Sequence, residues 1–132
     1  MKKPRGFRTL SIMLLLGIAM SGCATGANES IYTPGEAVTL QPGGQIVLPD
    51  DSRLRYVEVG ADSRCPPDVQ CIRAGDADVL FEFTVASGQA RTLTLNTPKR
   101  PSTAVDGWRV TLMKLGFGQS PPATLRVEPT TP

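Results

Sequence analysis

The chain has 132 residues, 40% hydrophobic, 5% aromatic and 20% charged, with a formal net charge of +2, three cysteines and no histidine. The commonest general base and the commonest catalytic zinc ligand are therefore missing, and neither a G-x-S-x-G nor an S-x-x-K motif occurs. The sequence has no basic patch interleaved with aromatic residues, which is the pattern that would indicate a nucleic-acid partner. The length of the chain predicts a single domain. Because the residues and motifs named above are missing, we expect that it is not an enzyme, has no catalytic residues and binds no nucleic acid.

The N-terminal segment, "MKKPRGFRTL SIMLLLGIAM SGC", has the pattern of a secretory signal peptide. Four basic residues precede an apolar run of eleven residues from Leu10 to Met20, and small residues follow. A membrane-spanning helix needs about 20 apolar residues, so this run is too short to be one. Residues 1–22 are predicted to be the signal peptide.

The end of this segment, "MSGC", resembles the lipobox of bacterial lipoproteins. The resemblance implies that the thiol of Cys23 is diacylated and that Cys23 becomes the mature N-terminus. Acyl chains hold a protein at a membrane because burial contributes about 0.8 kcal/mol per CH₂. Ala24 stands where an inner-membrane lipoprotein would carry aspartate, which implies the outer membrane. The alternative is ordinary cleavage after Ala27 and release of a soluble protein.

Export would change the charge of the protein. Four of the fourteen basic residues lie in 1–22 and all twelve acidic residues follow, so the mature chain has ten basic and twelve acidic residues, a net charge of −2. Residues 23–35 are small, polar and aperiodic, and we predict a lipidated flexible tether there. Residues 36–132 are predicted to form one domain.

From residue 36 onward the pattern predicts an all-β domain. Turn residues recur about every eight to twelve positions, and no segment sustains a 3.6-residue period. Strands are predicted at 37–41, 45–48, 53–60, 76–86, 90–96, 108–117 and 123–129, with a polar loop at 97–107. We therefore expect a compact antiparallel sandwich or open barrel of about seven strands with one disulfide in a short loop.

The apolar residues of these strands predict the core. In 53–60, Leu54 and Tyr56 share one face while Val57 and Val59 share the other, which indicates a bulge or a two-sided strand. Trp108 is expected to be a core or rim aromatic, with a ligand-stacking platform as the alternative. The predicted core comprises Val38, Leu40, Ile46, Leu48, Leu54, Val57, Val59, Val79, Phe81, Phe83, Leu93, Leu95, Val110, Leu112, Leu125 and Val127.

The segment "DSRCPPDVQCIRAG" (62–75) holds two of the three cysteines. If Cys23 carries lipid, Cys65 and Cys71 are left as a pair in an oxidising compartment, where disulfides persist. A zinc site would need about four ligands, mostly Cys or His, and a redox pair is more typically C-x-x-C. We expect a disulfide between Cys65 and Cys71, with a metal site or free thiols as the alternatives.

Charged residues around this pair form a candidate recognition surface: Arg64, Asp68, Arg73 and Asp76. The alternative is that they are solvated turn residues joined in a surface ion-pair network of modest worth. The nearby aspartates lack the fixed spacing of an EF-hand loop. We therefore expect no metal site and no cofactor.

The stretch "DSRCPPDVQCIRAGDADVLFEF" resembles a pattern in small bacterial exported proteins and lipoproteins of uncharacterised function. The tail "GWRVTLMKLGFGQSPPATLRVEP" is similar to the closing hairpin of that family. Arg73 stands where the family often has tryptophan. The matching positions are Ser63, Arg64, Cys65, Pro66, Cys71, Ala74, Gly75 and the strand 79–83. The resemblance implies a compact β-domain and points to no particular activity.

These observations favour a membrane-anchored envelope lipoprotein that acts as a binding or structural module. The expected partners are the membrane, through the lipid, and an envelope protein, and the protein itself is expected to be a monomer. The alternative is a periplasmic inhibitor of a hydrolase. It would act through the rigid loop closed by Cys65 and Cys71, or through the loop 96–107.

Overall fold

The structure, a computed structural model, describes residues 31–131, and these residues form an all-β domain. Eight strands follow one another in the order β1 (Ala37–Leu40), β2 (Gln45–Val47), β3 (Arg53–Asp62), β4 (Ala77–Thr84), β5 (Ala90–Thr97), β6 (Ser102–Val105), β7 (Trp108–Leu115) and β8 (Ala123–Pro129). The predicted fold class is confirmed.

The strands form two four-stranded antiparallel sheets. One has the order β1-β8-β7-β6 and the other β2-β3-β4-β5, and the buried residues of both sheets form one apolar cluster between them. This arrangement is a sandwich, in which each strand turns alternate side chains inward. Strand β7 lies between β6 and β8 and pairs with both.

The strand β6 was missed by the sequence analysis. Its residues, "STAV", lie within the segment 97–107 that was predicted to be a loop. They pair with β7 at the edge of the sheet, and the strand is only four residues long. Val105 is the one residue of β6 that is fully buried, so the segment has too little apolar alternation to indicate a strand.

Strand β4 and its hairpin follow the sequence pattern closely. Its alternate residues from Ala77 to Phe83 are buried and the others half-buried. The β4–β5 turn closes with Gly88 at φ 95°, and the Gly88 amide donates to the Val85 carbonyl at 2.8 Å. The connection between β4 and β5 is therefore a tight hairpin.

Strand β3 contains the predicted irregularity. Its register with β4 shifts between Tyr56 and Glu58 and again between Val59 and Ala61. The first shift leaves Val57 38% exposed, so its assignment to the core was wrong, because the bulge turns it away from the facing sheet. Val59 is half-buried and packs against the core.

Most of the other predicted core residues are buried, while Val38 and Leu93 are half-buried against the cluster. Trp108 is buried, which confirms it as a core aromatic. The core also contains residues that the prediction omitted: Tyr32, Tyr56, Ala77, Val105, Leu115 and Ala123.

The contacts of the domain extend further toward the N-terminus than residue 36, the predicted start. Ile31 pairs with Val47, and Tyr32 is buried. The Tyr32 hydroxyl donates to the Glu36 carbonyl and accepts from the Val127 amide at 3.0 Å. Residues 31–35, placed in the predicted tether, therefore contact the sandwich, because the Tyr32 ring gives them apolar surface to bury.

The predicted signal peptide, Cys23 and most of the predicted tether lie outside the described residues. Within 31–131 no helix is long and apolar enough to span a membrane.

Candidate functional site

Residues 63–76, which join β3 to β4, form the candidate site and are called the stapled loop. Cys65 and Cys71 are joined by a disulfide, with their Cα atoms 5.8 Å apart. The predicted disulfide is confirmed. It closes a ring of seven residues that includes Pro66 and Pro67, whose fixed φ angles restrict the backbone further.

The base of the stapled loop is closed by Ser63 and Asp76. The Ser63 amide donates to the Asp76 carbonyl at 2.8 Å, and the Asp76 amide donates to the Ser63 hydroxyl at 3.2 Å. Gly75 lies against this pair, and a Cβ atom there would collide with the Ser63 carbonyl. The close approach of the two ends of the loop therefore requires glycine at position 75.

Arg64 fixes the base of the loop to the opposite sheet. Its guanidinium donates Nε–H and Nη2–H to the Asp62 carboxylate at 2.9 and 2.6 Å. It also donates to the carbonyls of Leu115 and Gly116 at 2.8 and 2.7 Å. The guanidinium carbon lies 4.1 Å from the centre of the Phe117 ring, within the range of a cation–π contact.

These contacts leave little of Arg64 for recognition. Its side chain is 12% exposed, and the planar guanidinium uses its donors inside the molecule. The hydrogen bonds from Arg64 hold the pKa of Asp62 below its ordinary value, although partial burial opposes them. The pair therefore stays ionised at neutral pH and acts as a link between the sheets.

Asp76 connects the stapled loop to the β5–β6 turn, residues 98–101. Lys99 Nζ lies 2.6 Å from the Asp76 carboxylate, and Asn96 Nδ2 donates to Asp76 and Asp78 at 3.1 and 2.8 Å. Hydrogen bonding from Lys99, with a further one from Asn96, lowers the pKa of Asp76. Asp76 therefore also has partners within the protein.

The same contacts account for the aspartates that surround the loop. Asp62 binds Arg64, Asp76 binds Lys99, and Asp78 accepts from Asn96. Across residues 31–131, no group of three or more Asp, Glu, Cys or His side chains is arranged to hold a metal ion.

The tip of the stapled loop is exposed along its whole length. All nine residues from Pro66 to Ala74 are exposed, including Asp68 and Arg73, the other two members of the candidate recognition surface. Val69 is 55% exposed and Ile72 is completely exposed. The structure therefore brings an aliphatic pair and two charged side chains onto one short segment.

Val69 and Ile72 were not among the residues singled out from the sequence. They are large aliphatic residues inside a short segment of prolines and polar residues. Such a segment has no apolar face that could pack against the core. That combination was a usable indication, because two large aliphatic residues without a core to enter are left exposed to solvent.

Two further loops lie at the same end of the sandwich as the stapled loop. The β5–β6 turn contacts it through Lys99, and the β7–β8 loop, residues 116–122, contacts it through Arg64. A groove of about 360 Å³ runs between the β7–β8 loop and the last residues of β3. Function on a rigid β-scaffold is often carried by such clustered loops.

No protein-family model matches the chain, and no curated protein or solved structure is similar to it. The site is therefore interpreted from its own geometry.

Proposed function

We propose that the mature protein is a lipid-anchored envelope protein that binds a partner protein through the tip of the stapled loop. The observation that carries this proposal is the contrast between the two parts of the loop. Arg64 fixes the base and the disulfide closes the ring from Cys65 to Cys71, while the tip exposes Val69 inside that ring and Ile72 next to it.

A rigid, exposed loop suits binding for an energetic reason. Association costs conformational entropy when a flexible segment becomes ordered, and a segment already held in shape avoids much of that cost. A partner that covers Ile72 would remove its whole side chain from water, which contributes roughly 1.5–3 kcal/mol for an aliphatic side chain. Asp68 and Arg73 would then form a charged rim around the apolar contact.

Membrane anchoring is supported by the sequence and is compatible with the disulfide. The resemblance of the MSGC segment to a lipobox supports an acylated Cys23 at the mature N-terminus, and disulfides persist in the periplasm. The residue Ala24 supports an anchor in the outer membrane, with the domain facing the periplasm or the cell surface.

The position of Ile31 favours presentation of the loop away from that anchor. Ile31 pairs with Val47, which lies opposite Arg53, the first residue of β3. The stapled loop follows Asp62, the last residue of β3. Nine steps along a strand at 3.3 Å each separate these two ends by about 30 Å.

The proposal is tested by capture of partners from envelope extracts. The full-length protein, purified from membranes, is compared with Ile72→Asp and Arg73→Ala, and Met113→Asp is the control because Met113 is an exposed apolar residue of β7. We expect Ile72→Asp to lose partners that Met113→Asp keeps. Identical partners for wild type and Ile72→Asp would remove the stapled loop from the proposal.

A second candidate function is inhibition of a periplasmic hydrolase. The observation that favours it is exposure: all nine residues from 66 to 74 are exposed, and a segment that enters the concave cleft of a hydrolase must be exposed. Titration of proteases and lysozymes with the purified protein tests this candidate. We expect inhibition at micromolar concentration that Ile72→Asp abolishes, and no inhibition across the panel would contradict it.

The loop 96–107, the other segment considered for inhibition, is mostly ordered by the fold. Residues 102–105 are β6, and the main chains of Asn96 and Arg100 are joined by two hydrogen bonds of 2.9 Å. Of residues 96–100, only Pro98, Lys99 and Arg100 are exposed. This turn is therefore a neighbour of the stapled loop and a poorer candidate for insertion into a cleft.

A further inference from the structure

Strand β3 is much longer than its neighbour β2, so part of its edge is open. β2 pairs with Arg53–Arg55 only, and Gly43 and Gly44 extend this pairing to Tyr56 with hydrogen bonds of 2.7 and 2.9 Å. In the described part of the chain, no strand lies beside residues 57–62 on this side. An open edge of this kind is a template for a further strand.

The open edge forms one wall of the groove at the base of the stapled loop. The groove has a volume of about 360 Å³ and lies between residues 58–62 of β3 and residues 118–121 of the β7–β8 loop, with Pro42 of the β1–β2 turn also in its lining. Its far wall is fixed, because the Tyr56 hydroxyl donates to the Pro121 carbonyl at 2.8 Å. Gly60 and Ala61, which have little or no side chain, line this wall, and a Cβ atom at Gly60 would collide with the Leu80 side chain.

The charges of the groove have one sign. Its lining includes two acidic residues, Glu58 and Asp62, and no lysine or arginine. Asp62 is paired with Arg64 at 2.6 Å, so Glu58, which is exposed, is left as the charge that an occupant would meet. The groove is therefore complementary to a positively charged residue.

The other long edge of the sheet is less suitable. β5 has eight residues, but near one end its main chain bonds back on itself through Asn96 and Arg100. Near the other end Arg91 forms an ion pair with Asp106 at 3.1 Å. The edge of β3 beyond Tyr56 has no strand beside it among the described residues, and it borders the groove, although its register with β4 shifts twice there.

We propose that an extended peptide segment of a protein partner, carrying a lysine or arginine, adds as a strand to residues 57–62 of β3. Main-chain hydrogen bonds would supply affinity, and the ion pair with Glu58 would select the basic segment, as in other cases of strand addition. This inference deepens the proposed function and rests on it, because Asp62 belongs to the groove and also holds the base of the stapled loop through Arg64.

The experiment uses two synthetic peptides as probes, acetyl-TKVKVT-amide and acetyl-TEVEVT-amide, which differ only in charge. Each is titrated into ¹⁵N-labelled full-length protein, and the amide resonances are followed. We expect the lysine peptide to shift the amides of residues 57–62 and 118–121 in a saturable manner. The glutamate peptide is expected to bind about tenfold more weakly, because it meets Glu58 with a repulsion where the lysine peptide forms an ion pair.

Two variants and a matched control make the result specific. Glu58→Lys should reverse the preference between the peptides, and Ser120→Trp should weaken both by filling the groove. Glu128→Lys makes the same change of charge at an exposed site on β8 and should leave binding unchanged. The dispersion of each spectrum shows that the variant is folded.

The outcomes separate this inference from the proposed function. If the lysine peptide shifts no amide of 57–62, or if Glu58→Lys binds both peptides as the wild type does, strand addition at β3 is overturned. If the peptides bind as expected while Ile72→Asp keeps every captured partner, strand addition at β3 is supported and partner binding through the stapled loop is contradicted.

Discussion

The guanidinium of Arg64 donates to the Leu115 carbonyl at 2.8 Å, which joins the base of the stapled loop to the opposite sheet. The two residues are 51 positions apart in the chain. The same guanidinium holds the Asp62 carboxylate in the sheet from which the loop leaves. The exposed tip therefore stands on a base that both sheets fix.

Arg64→Ala is predicted to destabilise the fold by about 2–3 kcal/mol, because the carbonyls of Leu115 and Gly116 and the Asp62 carboxylate would lose charge-assisted donors. Urea unfolding measures the loss. Arg73→Ala is the control, since Arg73 is exposed on the same loop, and its effect should stay within about 0.5 kcal/mol. Equal stability of the two variants would contradict the role assigned to Arg64.

Removal of the disulfide is predicted to loosen the stapled loop while the sandwich stays folded. The double variant Cys65→Ala/Cys71→Ala should lose about 2 kcal/mol, the entropy of closing a loop of about 7 residues. Limited proteolysis should cut within 66–74 in this variant and leave the oxidised protein intact. A double variant as resistant as the wild type would show that Ser63, Arg64 and Asp76 hold the loop without the disulfide.

Acid is predicted to weaken the protein through Asp62. Because hydrogen bonds from Arg64 hold the pKa of Asp62 below its ordinary value of 3.8, the folded state binds the proton less readily than the unfolded state. The contribution of this carboxylate to the free energy of unfolding is therefore fully present above about pH 5 and is lost as the pH falls below about 4.

Unfolding free energies measured between neutral pH and pH 3 test this dependence. Asp62→Asn removes the titrating carboxyl and should flatten the acid limb of the profile. Asp68→Asn, in the exposed tip, should leave the profile as it is. An unchanged profile in Asp62→Asn would mean that the ion pair with Arg64 does not contribute to acid sensitivity.

At the other end of the sandwich, Trp108 and Asp50 form a second link between the sheets. The indole Nε1–H donates to the Asp50 carboxylate at 2.8 Å. Burial raises the pKa of Asp50, but the hydrogen bonds from Trp108 and Ser52 outweigh it and lower that pKa overall. Trp108→Phe should therefore cost about 2 kcal/mol, because it removes the donor to a charged acceptor.

Asp50→Asn is the informative partner variant, since it keeps an oxygen that accepts from the indole. We expect it to cost less than Trp108→Phe in guanidinium unfolding followed by far-ultraviolet circular dichroism. The opposite order would indicate that the charge of Asp50, and not its bond to Trp108, stabilises this end of the molecule.

The strands were predictable where one face is strongly apolar. The alternation from Ala77 to Phe83 fixed β4, and the count of cysteines indicated the disulfide. The strand β6 was not predicted because this short edge strand has few apolar residues. Val57 was misassigned because alternation does not show which residue of a bulged strand is displaced.

The candidate site was predictable only in part. The two cysteines marked the stapled loop, but the partners of Arg64 come from β7 and the β7–β8 loop, more than fifty positions away. Only the sandwich topology brings them together. The open edge of β3 was likewise hidden, because it depends on how far β2 extends along its neighbour.

Cross-linking in intact cells addresses partner binding at the tip most directly. A photoreactive amino acid is placed at Ile72 in the full-length protein, and at Met113 as the control. Binding through the stapled loop predicts a discrete cross-linked protein from position 72 and none from position 113. Absence of any cross-link at 72, or the same products from both positions, would contradict it.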